Sequence, residues 1–163
     1  MNLIGEKFMK KIITMLFVVF SISSYADVYW GVGYGNISDE DDGDELSLGA
    51  LELTVGNRVN ENFAFEFTLA QGIQDDTVDG IEAELDTSFY AKGMYYINEN
   101  IFVNAFWGRV ELEGCYQGTC ASAGDTEGGF GIGVDFPLQS DAAIRLSYDS
   151  VDDADIVSLK YIF

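Results

Sequence analysis

The sequence contains no histidine. That absence removes Ser-His-Asp and Cys-His nucleophilic catalysis and every histidine-based metal site. Bases are scarce: 8 Lys and Arg stand against 28 Asp and Glu, a formal net charge of -20. A phosphate-binding surface needs basic patches, so nucleic acid is excluded as a partner. Proline occurs once, at Pro137, and cysteine twice, at Cys115 and Cys120. No apolar run reaches the roughly 20 residues of a helical membrane span. What is present is 48% hydrophobic and 14% aromatic residues in 163, which argues against disorder and suits a single domain.

The first segment is expected to be a targeting signal. Lys7, Lys10 and Lys11 precede an apolar run from Ile12 to Ile22, and Ser24-Tyr25-Ala26 ends it with small residues at a cleavage spacing. This is the pattern of a secretory signal peptide over residues 1–26, with Met9 an alternative start. Cleavage leaves a domain of residues 27–163. It removes Glu6 and three lysines, leaving 27 acids against 5 bases.

Export makes the cysteines legible. An even pair in a Gly/Ser/Thr-rich stretch of an exported chain predicts a Cys115–Cys120 disulfide. A zinc site needs two further Cys or His ligands, which the sequence does not contain. The enclosed loop is short, so the chain-entropy model gives only about 2 kcal/mol.

The rest of the chain alternates with period two, the signature of strands with one apolar and one polar or small face. Val28, Trp30, Val32 and Tyr34 alternate with Tyr29, Gly31, Gly33 and Gly35. Leu51, Leu53 and Val55 alternate with Glu52, Thr54 and Gly56; Phe63, Phe65, Phe67 and Leu69 with Ala64, Glu66, Thr68 and Ala70. Leu85, Phe89 and Ala91 are expected on one face, opposite Asp86, Ser88, Tyr90 and Lys92. Phe130 to Phe136, Ile144 to Tyr148 and Val157 to Phe163 repeat the pattern. The segment 101–112 is ambiguous, with Val103, Ala105 and Trp107 competing against Phe102, Phe106 and Val110. A bulge inside it would switch its phase.

Eight strands result. The connections 59–62, 97–100 and 137–141 are short. Those at 36–45, 72–80, 113–126 and 151–154 are mostly longer, and acidic. A soluble sandwich or lipocalin-like barrel would bury its apolar face and carry a Lys/Glu-rich exterior. Here the second face is Gly, Ala, Ser and Thr with a few charges, which suits a narrow interior. The expected fold is all-β: a closed antiparallel eight-stranded transmembrane β-barrel, apolar outside and polar inside.

An eight-stranded barrel is just wide enough for side chains to fill. Lys92, Arg145 and Lys160 fall on the inward parity, as do Glu52, Glu66 and Asp135. Charges there must pair, because an unpaired buried charge is costly. These six are expected to form a lumen ion-pair network; the alternative is a gate through which ions pass as the pairs exchange.

Val157-Ser158-Leu159-Lys160-Tyr161-Ile162-Phe163, with Val157, Leu159, Tyr161 and Phe163 on one face, resembles the C-terminal assembly signal of bacterial outer-membrane barrels. Tyr29-Trp30-Gly31-Val32-Gly33-Tyr34-Gly35 is similar to the first strand of the small eight-stranded OmpA/OmpX-type family, and Gly129 to Pro137 to its sixth. The resemblance implies residence in the bacterial outer membrane, insertion by the barrel assembly machinery, and contact with outer-membrane lipid and lipopolysaccharide as a monomer. It also implies a non-enzymatic surface or membrane-integrity role without a cofactor. A narrow cation-preferring pore is the alternative. The enzymes known among small barrels use a His with a Ser, so Glu82 and Glu84, about 7 Å apart on one face, are the remaining acid/base candidates. The run Asp39-Glu40-Asp41-Asp42-Gly43-Asp44-Glu45 could attract divalent cations, though its spacing is not that of an EF-hand.

Overall fold

The computed structural model describes residues 27–163 except 42–43, 79, 117–118, 139–140 and 152–153. The expected signal peptide lies outside the described residues. So do the side chains of the acidic run 39–45.

Ten strands are described: β1 (Asp27–Asp41), β2 (Asp44–Arg58), β3 (Phe63–Gln74), β4 (Asp76–Val78), β5 (Ile81–Leu85), β6 (Thr87–Tyr96), β7 (Ile101–Tyr116), β8 (Thr119–Pro137), β9 (Ala143–Val151) and β10 (Ala154–Ile162). β4 and β5 prolong the hairpin of β3 and β6, so the strands make eight staves in the order β1, β2, β3, β6, β7, β8, β9, β10. All pairings are antiparallel, and β10 returns to β1 from Gly31↔Ile162 to Asp39↔Ala154, closing the barrel. Trp30 and Phe163 complete the seam with a reciprocal pair of backbone hydrogen bonds, both 2.8 Å.

At one end the connections are tight. Asn60 and Asn98 each open an Asn-Glu-Asn turn. The Asn60 Oδ1 accepts from the N–H groups of Asn62 and Phe63, both at 2.9 Å; Asn98 Oδ1 accepts from Asn100 at 2.9 Å and Ile101 at 2.8 Å. The asparagine side chain thereby mimics a backbone turn. At the other end the segments expected as long loops are largely strand. β7 and β8 stay paired as far as Tyr116↔Thr119, and β1 and β2 as far as Asp41↔Asp44. These extensions lack an apolar face, so hydrophobic alternation does not reveal them.

The register settles the open phase of one stave and corrects the expected phase of another. The phase of β7 does not switch: it pairs with β8 without interruption from Ile101↔Val134, keeping Phe102 and Asn104 buried and Val103 and Trp107 exposed. The irregularity lies on the neighbouring stave. Leu85 pairs with Leu112 but Phe89 with Arg109, so three residues, 86–88, face two, 110–111. This bulge reverses the parity of the stave. Leu85 therefore faces inward, 0% exposed, instead of sharing the outer face of Phe89.

Glycine lines much of the inner wall because neighbouring strands approach it closely. A Cβ on Gly33 would lie 2.6 Å from Lys160 Cγ, and one on Gly131 would lie 2.8 Å from Asn104 Nδ2. The outer wall is a belt of exposed apolar residues including Trp30, Leu53, Phe65, Leu69, Ile132 and Leu159.

Candidate functional site

The lumen is the only place where the strands bring charged side chains together out of solvent among the described residues. It holds three bases, Lys92, Arg145 and Lys160, and four acids, Glu52, Glu66, Asp135 and Asp149, all buried. They fall into two layers.

Arg145 on β9 organises the layer nearer the tight turns. Its Nε and Nη2 grip Asp135 on β8 in a two-point fork at 2.6 and 2.8 Å, and its Nη1 meets Glu66 on β3. A planar guanidinium suits such bidentate pairing. Tyr96 Oη donates to Asp135 at 2.8 Å and accepts from Arg145 Nη2 at 2.8 Å; Tyr29 Oη donates to Glu66 at 3.0 Å. The guanidinium also lies over the rings of Phe102 and Tyr29, 5.0 and 5.4 Å from their centroids, within cation–π range.

The second layer has two pairs. Lys160 Nζ lies 3.0 Å from Glu52 Oε2 and donates to Thr54 at 3.2 Å and Thr68 at 3.4 Å. Glu52 Oε1 accepts from Tyr90 Oη at 2.5 Å and from Ser158 at 3.1 Å. Lys92 Nζ reaches Asp149 at 2.6 Å, and Asn104 Nδ2 donates to the other Asp149 oxygen at 2.7 Å. Both lysines lie over the Tyr90 ring, each 5.6 Å from its centroid.

Two apolar clusters accompany the charged layers, one of them interleaved with the Arg145 layer. Leu48, Ala50, Ala70 and Leu85 form a buried cluster toward the long hairpins, with Ile37, Leu46, Val110 and Leu112 packed against it. Ala64, Met94, Tyr96 and Phe102 form another toward the tight turns.

Of the six residues expected to form a network, Arg145 meets Glu66 and Asp135, and Lys160 meets Glu52. Lys92 finds none of the six; its partner is Asp149. Asp149 shares the inward parity of Arg145, and that parity was the available signal. The tyrosines 29, 90 and 96 and Asn104 are further members. Their inward parity was visible only for Tyr29 and Tyr90, which lie on clearly alternating segments.

Outside the lumen, Cys115 and Cys120 are disulfide-bonded, directly opposite one another on β7 and β8. Glu113 brings a third ligand-type atom within 4.8 Å of the two sulfurs. With both sulfurs committed to the disulfide, one carboxylate remains. Glu82 and Glu84 are exposed on β5, opposite Cys115 and Glu113. Val157, Leu159, Tyr161 and Phe163 all face outward at the closing seam, with the rings of Tyr161 and Phe163 stacked at 5.9 Å.

Residues 12–160 match the family model of the outer membrane protein beta-barrel domain. Among solved structures the chain is similar to Ail of Yersinia pestis in complex with the heparin analogue sucrose octasulfate. That match has 20% identity, covers 85% of this chain and 99% of that one, and has a TM-score of 0.57. It is also similar to the N-terminal β-barrel domain of Pseudomonas aeruginosa OprF (13% identity, 83% and 96% covered, TM-score 0.58). A third likeness is to Neisserial surface protein A (14% identity, 84% and 96% covered, TM-score 0.56). No curated protein matches.

Proposed function

Since the chain belongs to the outer membrane β-barrel family and resides in the bacterial outer membrane, we propose that it acts there as a closed, non-enzymatic surface protein that supports membrane integrity or contacts at the cell surface. The observation that carries this reading is the filled lumen. The three fully buried bases are all ion-paired, a fourth, Arg58, caps the Tyr96 ring, and an apolar cluster closes the interior toward the long hairpins. An ion crossing the barrel would have to separate buried pairs and then pass the apolar cluster around Leu48 and Leu85, each step opposed by desolvation.

The short Asn-Glu-Asn turns face the periplasm and the long hairpins face outward, as the asymmetry of outer-membrane barrels implies. The outer-face partners are outer-membrane lipid and lipopolysaccharide, with divalent cations offsetting the acidic loops. Val157, Leu159, Tyr161 and Phe163 serve the assembly machinery as its recognition signal. The polysulfated ligand of the Ail complex does not suit this chain: Arg109 is the one base on its outer half that does not point into the lumen, and Glu111 pairs with it at 2.7 Å.

Conductance across a planar bilayer tests the proposal. Wild type should pass little current, and Lys92→Ala or Arg145→Ala should raise leakage or destabilise the barrel. Steady cation-selective current through wild type, altered by these substitutions, would instead establish the pore.

A further inference from the structure

The lipid-facing wall has a hollow that the fold does not explain. Across β3, β6, β7 and β8 the register places Phe65, Gly93, Ala105 and Phe130 in one row, all on the outer face. Large residues flank two small ones. Phe130, at 76%, and Trp107, at 64%, are the most exposed large hydrophobics described. Tyr95 and Val103 form one lip, in the next row toward the tight turns. The resulting slot has a volume of about 540 Å³ and is lined by Phe63, Phe65, Gly93, Tyr95, Ala105 and Phe130, among others.

Gly93 is the informative residue. The inward glycines are small because neighbouring backbone and lumen side chains press on them. Gly93 is not so constrained: a Cβ there would meet Phe65 at an ordinary 3.7 Å. Nor does its backbone require glycine, since the only described glycine with positive φ is Gly80. Glycine weakens a strand interior and often marks a place where another molecule approaches closely. The neighbouring aromatic contacts skip it as well: Phe63 packs on Tyr95 at 5.1 Å and Phe67 on Phe89 at 6.2 Å, while Phe65 faces Gly93.

We infer that this slot is a binding site for one acyl chain of a membrane phospholipid. It is continuous with the lipid-facing belt, so its occupant comes from the bilayer. The strands bearing the two walls are three spacings apart, roughly 14 Å. That is too narrow to admit the wall of a second barrel between Phe65 and Phe130, but wide enough for a polymethylene chain lying on Gly93 and Ala105. On β6 and β7 the slot lies two to four residues from the Ile97–Ile101 turn. With that turn facing the periplasm, the leaflet that reaches the slot is the phospholipid one. The choice of phospholipid rests on the proposed orientation, which is tested separately by whether protease added to intact cells cuts the long hairpins or the Asn-Glu-Asn turns.

The chain has two tryptophans, and they suit the test. Trp107 is on β7 in the outward row next to the slot, two residues beyond Ala105; Trp30 is on β1, on the opposite wall. Phospholipid with brominated chains is titrated into the folded Trp30→Phe barrel in detergent. Trp107 emission should fall and saturate near one lipid per barrel. Gly93→Leu and, from the adjacent stave, Ala105→Leu should each remove the saturable part while the folded gel mobility persists. Trp30 in a Trp107→Phe barrel should show no saturable part. Quenching that stays linear, or that survives both leucine variants, overturns the site. Displacement by lipopolysaccharide in preference to unlabelled phospholipid overturns the choice of lipid. Crosslinked dimers that form through this wall and compete with quenching overturn it in favour of a second copy.

Discussion

Lys92 and Asp149 lie 57 positions apart in the chain and meet at 2.6 Å inside the barrel, each almost wholly shielded from solvent. Removing one partner of a buried pair strands the other. Asp149→Ala should therefore lower stability by about 3–5 kcal/mol. Arg109→Ala, which breaks the exposed pair with Glu111, should cost less than about 1 kcal/mol. Urea unfolding of the two variants in lipid vesicles separates these outcomes. Equal effects would show that Asp149 is not the counter-charge of Lys92.

The bulge at residues 86–88 puts Leu85 into the apolar layer with Leu48 and Ala50. Leu85→Ala should cost about 2–4 kcal/mol, as for a core truncation. Leu69→Ala, on the lipid-facing side, leaves no internal cavity and should cost less. The same unfolding experiment ranks them, and a larger loss at Leu69 would contradict the parity switch.

Asn60 and Asn98 each accept two backbone hydrogen bonds within their turns. Replacing either by alanine should lower stability by about 1 kcal/mol, the net scale of such bonds. Asn60→Asp retains the acceptor and should recover most of it. An aspartate variant as weak as the alanine one would mean that the side-chain oxygen is not what holds the turn.

The Cys115–Cys120 disulfide closes a hairpin whose strands are already paired around it. Cys115→Ser with Cys120→Ser should leave heat-modifiable gel mobility intact and increase protease cleavage only near the hairpin tip. Thiol reagents should label the wild type only after reduction. Collapse of the whole barrel in the double variant would show that the bond supports the fold rather than one hairpin.

Alternation made the barrel legible because the bilayer demands it on every stave: Phe63, Phe65 and Phe67 face lipid, while Ala64, Glu66 and Thr68 face the lumen. Where that demand ends, so does the signal. Thr119 to Thr126 pair with β7 as regularly as Phe130 does, yet their Gly, Ala, Ser and acidic side chains gave no hint of a strand. Leu85 was misplaced for a related reason. A single inserted residue reverses a parity count, and Asp86 looks like any other polar position in a list of residues. The lumen charges could be identified by type and parity. Their partners could not, because the link between Lys92 and Asp149 depends on which staves face one another across the interior.

Three of the five bases beyond residue 26 are buried inside the barrel, neutralised by acids, and a fourth, Arg58, lies over the buried Tyr96 ring. The exterior is left almost without cations. Neighbouring copies must therefore repel one another across the membrane plane, with a reach set by the Debye length, about 8 Å in physiological salt and longer at low ionic strength. Lateral crowding of this protein should depend on calcium or magnesium, while its unfolding, governed by charges that salt does not reach, should not. By moving its bases indoors, the barrel makes its spacing in the membrane responsive to the ionic medium and keeps its fold indifferent to it.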